Sequence, residues 1–319
     1  QIFSLLPNSM QYEPNDQIGI PWDLNKIAQL LFFISLSATV VCLICARTKA
    51  KRWWIGGLGL LLSAVLLTGY FIPVSVPVMD LSAASETADT TYYDMIHKDC
   101  QKDEAADFRV KKYQLDFSVG LNLTGSAKVY VDRSELKSYR FTLYHGYKVK
   151  QVTDQTGAAL DFRREYDYVT VTRGGAAVEY LCLEYTGKSP KYYSSYAGVC
   201  LPANFAYYPI PGYRELFSDN FYGFIDCSLP YDTAFDVRCS GRKQMYCNLA
   251  ARGDNHFAGN ARSITLLSGY YDTLKLNDTL VVYPKYADGE IRARIKKNMG
   301  TFTKEHRDIH TIFIMDADN

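Results

Sequence analysis

The chain has 319 residues, with 35 Lys and Arg against 34 Asp and Glu and a formal net charge of +1. A balance so close to zero leaves no electrostatic footprint for nucleic acid, and the length is enough for one or two folded units with a sizeable core. The 26 Tyr and 16 Phe lie mostly beyond residue 90, in alternating stretches, which points to a mainly β body there.

In chain order, residues 1–26 are rich in turn formers (Pro7, Asn8, Pro14, Asn15, Asp16, Pro21) and have no sustained period, so they read as an external loop. Residues 27–74 hold two apolar runs, Ile27 to Ala46 and Trp53 to Val74, neither with a charged residue. Each has roughly the 20 residues that cross a hydrocarbon core as a helix, and neither has the polar face of a soluble helix. The expectation is a transmembrane hairpin in the lipid bilayer. Its joining loop, Arg47-Thr48-Lys49-Ala50-Lys51-Arg52, marks the cytoplasmic side under the positive-inside rule. Trp53 and Trp54 then sit at headgroup level beside that loop, with Trp22 and Tyr70 as anchors at the opposite interface. This implies a plasma-membrane protein with residues 75–319 extracytoplasmic. The polar segment ahead of the first run argues against a signal peptide.

Residues 75–107 begin with Pro77 and continue through small, acidic and Ser/Thr residues, the composition of a stalk, with Tyr92 to His97 placed to pack on the next domain. From Phe108 the period becomes two: Tyr113, Leu115, Phe117, Val119 and Leu121 on one face, Lys112, Gln114, Asp116 and Ser118 on the other. Gly125 ends that strand. Further alternating stretches lie at 127–131, 141–143, 149–152, 160–162, 166–172, 178–185, 221–228, 234–239, 244–248, 263–267 and 279–283. Such a set fits an antiparallel β-sandwich over residues 108–288. Residues 289–319 change character, with Ile291, Ile295, Met299 and Phe302 at helical spacing, then an apolar strand from Thr311 to Met315 that reads as the start of a truncated following domain.

Candidate chemistry is sparse. His306 and His310 have the i, i+4 spacing of a zinc helix, but Arg307 stands where the general base would be and no third ligand has recognisable spacing. Cys100, Cys182, Cys200, Cys227, Cys239 and Cys247 lie outside the apolar runs, an even number that permits disulfides without giving a pairing. Cys42 and Cys45 fall within the first apolar run. Arg252-Gly253-Asp254 reads as a polar turn, and Asn122 and Asn277 open glycosylation sequons. No nucleophile elbow or P-loop occurs. No catalytic, cofactor-binding or metal residue is assigned.

Four motifs occur in order: Tyr185-Thr186-Gly187, Tyr207-Tyr208-Pro209, Ser228-Leu229-Pro230 leading into a strand, and Leu267-Ser268-Gly269-Tyr270. With the alternating strands, the succession resembles the N-terminal saddle-shaped β-domain of zinc aminopeptidases of the aminopeptidase-N type, from about Phe108 to Tyr283. A membrane hairpin ahead of it resembles bacterial proteins in which an ABC-type permease is fused to an aminopeptidase-like external region. The resemblance implies an ABC ATPase or permease subunit as partner. It places zinc only in a missing catalytic domain that would begin near Thr311. Between Gly198 and Phe205, where the family can supply a polar residue for a substrate's amino terminus, Asn204 alone is polar. The implied function is a membrane-anchored, non-catalytic β-domain segment; whether the parent is an enzyme stays open. The alternative is a tethered binding or sensor module presenting Tyr192-Tyr193-Ser194-Ser195-Tyr196 to a ligand.

Overall fold

The computed structural model describes residues 24–69, 89–96, 100–189, 191–218, 223–285, 289–305 and 309–314. Two helices come first, α1 (Leu24–Cys45) and α2 (Lys49–Thr68). Their contacts run in opposite directions along the two chains, Leu43 beside Gly56, Thr39 beside Gly59, Ser35 beside Ser63 and Ala28 beside Gly69, so they form an antiparallel hairpin. The basic stretch is not all loop. Thr48, with φ −118° and ψ 147°, caps α2 by accepting from the Lys51 amide, and Lys49–Arg52 become the first helical turn. Cations are unfavourable at a helix N-terminus, and the Arg52 Nε instead donates to the Ala46 carbonyl oxygen closing α1, at 3.0 Å. Trp22 and Tyr70 lie outside the described residues.

The body is mainly β. Strands β1 (Val110–Val119), β2 (Leu123–Val131), β3 (Ser138–Thr142), β4 (Tyr147–Thr153), β5 (Phe162–Glu165), β6 (Tyr168–Thr172) and β7 (Tyr180–Gly187) come first. Short strands come next: β8 (Ser194–Ser195), β9 (Gly198–Leu201), β10 (Ile210–Pro211), β11 (Phe217–Ser218) and β12 (Gly223–Phe224). Then come β13 (Thr233–Ser240), β14 (Tyr246–Cys247), β15 (Ala250–Gly253), β16 (His256–Ala261), β17 (Leu266–Ser268), β18 (Tyr271–Leu276) and β19 (Thr279–Pro284). Helix α3 (Gly289–Glu305) and β20 (Thr311–Phe313) complete the described elements.

The large sheet has the order β15-β16-β13-β1-β2-β7-β4, and a four-stranded sheet has the order β10-β3-β6-β5. Side chains from both meet in one contiguous core, with Tyr113, Leu115, Val129, Leu183 and Val237 from the first and Tyr139, Phe141, Val169 and Val171 from the second. At the start of β1 the pair Lys111-Lys112 interrupts the alternation. A register shift there keeps both Val110 and Tyr113 inside. Helix α3 lays Ile291, Ile295 and Met299 on Val281, Tyr283 and Ile312 of the β18-β19-β20 sheet.

Several expectations change. The sandwich is not purely antiparallel: β1 pairs with β13 in parallel, Tyr113 opposite Phe235, after the chain between them has supplied β2, β4 and β7 of the same sheet and all of the four-stranded one. Strand β20 also joins β19 in parallel. Gly125 does not end a strand but sits inside β2, where an added Cβ would lie 2.4 Å from the Tyr185 ring; the aromatic fills the space that glycine leaves. The stretch 221–228 keeps only Gly223–Phe224 as strand among the described residues, since Ser228 donates through both N and Oγ to Asp226 Oδ1 and the chain turns. The segment Tyr192–Tyr196 is not a free aromatic loop. Tyr193, Ser194 and Ser195 are buried, Ser194 and Ser195 pair with β9, and Tyr192 packs 4.7 Å from Phe205.

Candidate functional site

Two features could carry a role: the outward face of the helical hairpin, and the place where the chain beyond it meets the β body. On the hairpin, the inner seam is small and polar. Ser35 and Ser63 hydroxyls approach to 3.2 Å, Thr39 Oγ1 donates to the Ser35 carbonyl oxygen at 2.7 Å, and Gly59 lies directly against Thr39. The outer faces are apolar and exposed: Ile34, Val41 and Ile44 on α1, Leu58, Leu61 and Val65 on α2. Trp53 and Trp54 stand out at the basic end, 83% and 81% exposed. Among the described residues α1 and α2 have the length and composition to cross a membrane. A core helix of a water-soluble protein would have those faces buried.

The second feature begins at Asp89, which leads into a short π-helical turn, Thr91–Ile96. Tyr93, 1% exposed, stacks on Phe217 with ring centres 4.9 Å apart and meets Phe224 edge-on. Tyr92 stacks on His145 at 3.5 Å. Under these rings lies a polar network. Tyr144 donates its hydroxyl to Asp89 Oδ1 at 2.6 Å, the His145 amide donates to Asp167 Oδ1 at 2.6 Å, and His145 Nδ1 lies 3.3 Å from the same oxygen. Arg164 donates through Nε to the Tyr166 carbonyl oxygen and through Nη2 to that of Leu143, each at 2.6 Å.

Electrostatics here are dominated by burial. It pushes the Asp89 carboxyl above its usual range, against the Tyr144 hydrogen bond and the nearby His145 and Lys191, while Asp167 adds to the rise. Burial likewise lowers Arg164, with Asp167 opposing. Asp89 Oδ2 and Arg164 Nη1 are buried without a hydrogen-bond partner among the described residues. Residues 101–104 continue the attachment. Gln101 Oε1 accepts from the Leu216 and Phe217 amides, its Nε2 donates to the Phe217 carbonyl oxygen at 2.8 Å, and Glu104 and Tyr213 exchange backbone hydrogen bonds at 2.8 Å.

The residues singled out from sequence are scattered. His306 lies outside the described residues; His310 is exposed, its carbonyl oxygen taken by the Leu280 amide at 2.9 Å. Among the described residues no group of three or more His, Cys, Asp or Glu could hold a metal ion. Arg252, Gly253 and Asp254 are exposed at the turn from β15 to β16, and Asn277 occupies a turn with φ 54°. The Asn204 carbonyl oxygen accepts from the Cys227 thiol at 3.1 Å. Tyr207 and Tyr208 are fully buried: Tyr185 donates to the Tyr207 carbonyl oxygen at 3.0 Å and Tyr207 to that of Ile264 at 2.8 Å. Sequence reasoning missed Asp89, Tyr144, His145 and Asp167. The one available signal was an aspartate within a Ser/Thr-rich stretch just ahead of Tyr92-Tyr93.

The outer face of the large sheet carries Gln114, Asp116, Lys128, Asp236 and Arg238 around a shallow depression. Asp116 is opposite Arg238 and Gln114 opposite Lys128, with His256 Nε2 2.9 Å from Asp236 Oδ1. Cross-strand alternation of opposite charges is how a solvated sheet face is stabilised.

No protein-family model matches the chain, and no curated protein is similar to it. Among solved structures, yeast LTA4 hydrolase in complex with bestatin is similar over 68% of this chain and 39% of its own, at 11% identity and a TM-score of 0.48. A two-domain M1 zinc metallopeptidase bound to L-arginine is similar over 66% of this chain and 57% of its own, at 11% identity and 0.43. The M1 zinc metallopeptidase from Deinococcus radiodurans gives the same coverages, at 12% identity and 0.40. The chain thus spans between 39% and 57% of the length of these three proteins.

Proposed function

We propose that this chain is the membrane-anchoring and β-domain part of a permease-associated, aminopeptidase-like protein, and that it performs no catalysis itself. The observation that carries the anchoring is the pairing of α1 and α2 through a polar seam, with large apolar side chains facing outward. In water that arrangement leaves favourable burial unrealised; in a bilayer the same faces meet hydrocarbon, and the hydroxyls that lipid would not satisfy are partnered within the pair. The Arg47–Arg52 cluster supports a cytoplasmic turn, which sets the β-domain outside the plasma membrane. The ordered Tyr-x-Gly, Tyr-Tyr-Pro and Gly-Tyr motifs support the aminopeptidase-like reading of the domain, with an ABC permease or ATPase subunit as its partner. Zinc chemistry, in this reading, belongs to another part of the parent protein. A recognition role for Tyr192–Tyr196 is not carried forward, because that segment is packed.

Alkaline carbonate extraction of membranes from cells expressing the chain tests the anchor. The chain is expected in the pellet, and its release into the supernatant would overturn the reading. The purified chain is expected to give no zinc-dependent hydrolysis of aminoacyl reporter substrates. Stoichiometric zinc with chelator-sensitive turnover would refute the non-catalytic assignment.

A further inference from the structure

Between the end of α2 and Asp89 the chain has only some twenty residues, a reach of at most about 70 Å when fully extended. From Asp89 onward the chain is seated in the β body. Tyr93 lies between Phe217, Phe224 and His145, Tyr92 lies flat on His145, and Asp89 is buried 2.6 Å from the Tyr144 hydroxyl. The seat is stabilised by the rings and opposed by its polar floor. Stacked and edge-on aromatic pairs favour it beyond the area they bury, whereas a buried carboxylate with one oxygen unpartnered among the described residues costs desolvation that is not returned. The two tyrosines are presented by the π-helical turn, a rare geometry that is frequent at functional sites.

We propose that Asp89–Tyr93 is a proton-sensitive latch on the β body, seated when Asp89 is protonated and loosened when it is ionised, so that the tether to the helical hairpin lengthens on release. The groups facing Asp89 come from several elements. They are Tyr144 and His145 after β3, Asp167 before β6, Lys191 beyond β7 and Tyr93 on its own turn. Tyr144, His145 and Lys191 favour the ionised carboxylate, Asp167 opposes it, and burial outweighs the favourable three. A released Asp89 has the ordinary carboxylate pKa of about 3.9, and the seated one is higher. Seating is therefore fully stabilised below about pH 4, weakens as pH rises through the seated value, and is constant above it. The seat can be read whether or not the helices cross a bilayer, so its failure and the failure of the anchoring reading are separable.

Hydrogen exchange on the full chain, monitored by mass spectrometry and corrected for the intrinsic pH dependence of exchange, is the test. Amides of residues 90–96 are expected to lose protection between pH 4 and pH 7.5, by about tenfold for each unit by which seating raises the Asp89 pKa. Asp89→Asn should abolish that dependence while keeping the segment protected, and Tyr93→Ala should remove protection at both pH values. Unchanged exchange in β1 serves as the check that the body stays folded. Equal protection of wild-type residues 90–96 at both pH values would overturn the latch. So would an Asp89→Asn chain that keeps the wild-type pH dependence.

Discussion

Single residues decide where this chain can be changed. Tyr208 is fully buried, with ring contacts to Tyr113 at 5.4 Å, Tyr207 at 5.1 Å and Phe235 at 6.0 Å. Tyr208→Ala is therefore expected to leave a cavity and cost about 3–5 kcal/mol in denaturant melts; an unchanged midpoint would refute the packing role of the Tyr207–Tyr208 pair. Glycines separate in the same way. A Cβ on Gly187 would lie 1.9 Å from the Gly146 carbonyl oxygen, a backbone atom that cannot step aside, whereas one on Gly253 meets nothing within 4 Å. Gly187→Ala is expected to cost about 1–3 kcal/mol, and Gly253→Ala to stay within about 0.5 kcal/mol of wild type. Burial of Tyr208 was only half legible: Pro209 and Pro211 restrict the backbone beside the two tyrosines, but the strands that cover their rings are supplied by the fold. Burial of Asp89 was not legible. Its partners Tyr144, Asp167 and Lys191 are brought to it only by the fold, and nothing in the local pattern distinguishes it from a solvated aspartate.

At the scale of elements, the hairpin was readable because an apolar run with no charge has few alternatives to a helix. Its seam was less so. Gly59, Ser63, Ser35 and Thr39 meet because of the antiparallel register that the short turn at Thr48 imposes. An added Cβ on Gly59 would lie 2.1 Å from Thr39 Oγ1, so Gly59→Leu is expected to force the helices apart and break the Ser35–Ser63 contact. The double change Ser35→Cys and Ser63→Cys should cross-link the parent hairpin and fail to do so with Gly59→Leu; equal cross-linking would refute the seam. Most strands were legible from their period of two. The hairpin formed by β15 and β16 was missed because Ala250–Ala261 carries Gly253, Asp254 and Asn255 at its centre and few large apolar residues around them. The parallel pairing of β1 with β13 was also missed, since a strand's own sequence specifies its faces but not its neighbour.

For the whole molecule, the thiols report on topology and on stability. Cys200, Cys227, Cys239 and Cys247 are buried, each pushed up to about 12 by that burial, and all eight cysteines are free. Buried, un-ionised thiols react slowly, so the fold does not lean on disulfides, and reducing agent is expected to leave the unfolding midpoint unchanged. Cys100 and Cys182 are partly exposed. A membrane-impermeant maleimide applied to intact cells should label them if the β-domain is outside, whereas labelling only after permeabilisation would reverse the orientation.

The central parallel pair has a consequence for synthesis. Strand β1 is made early, but its partner on one side, β13, leaves the ribosome only after the whole second sheet has been translated. Until then the β1-β2-β7-β4 part of the large sheet has an open, apolar-backed edge, the kind of edge that invites pairing with another chain. Nascent chains halted between β12 and β13 are thus the species most in need of a chaperone.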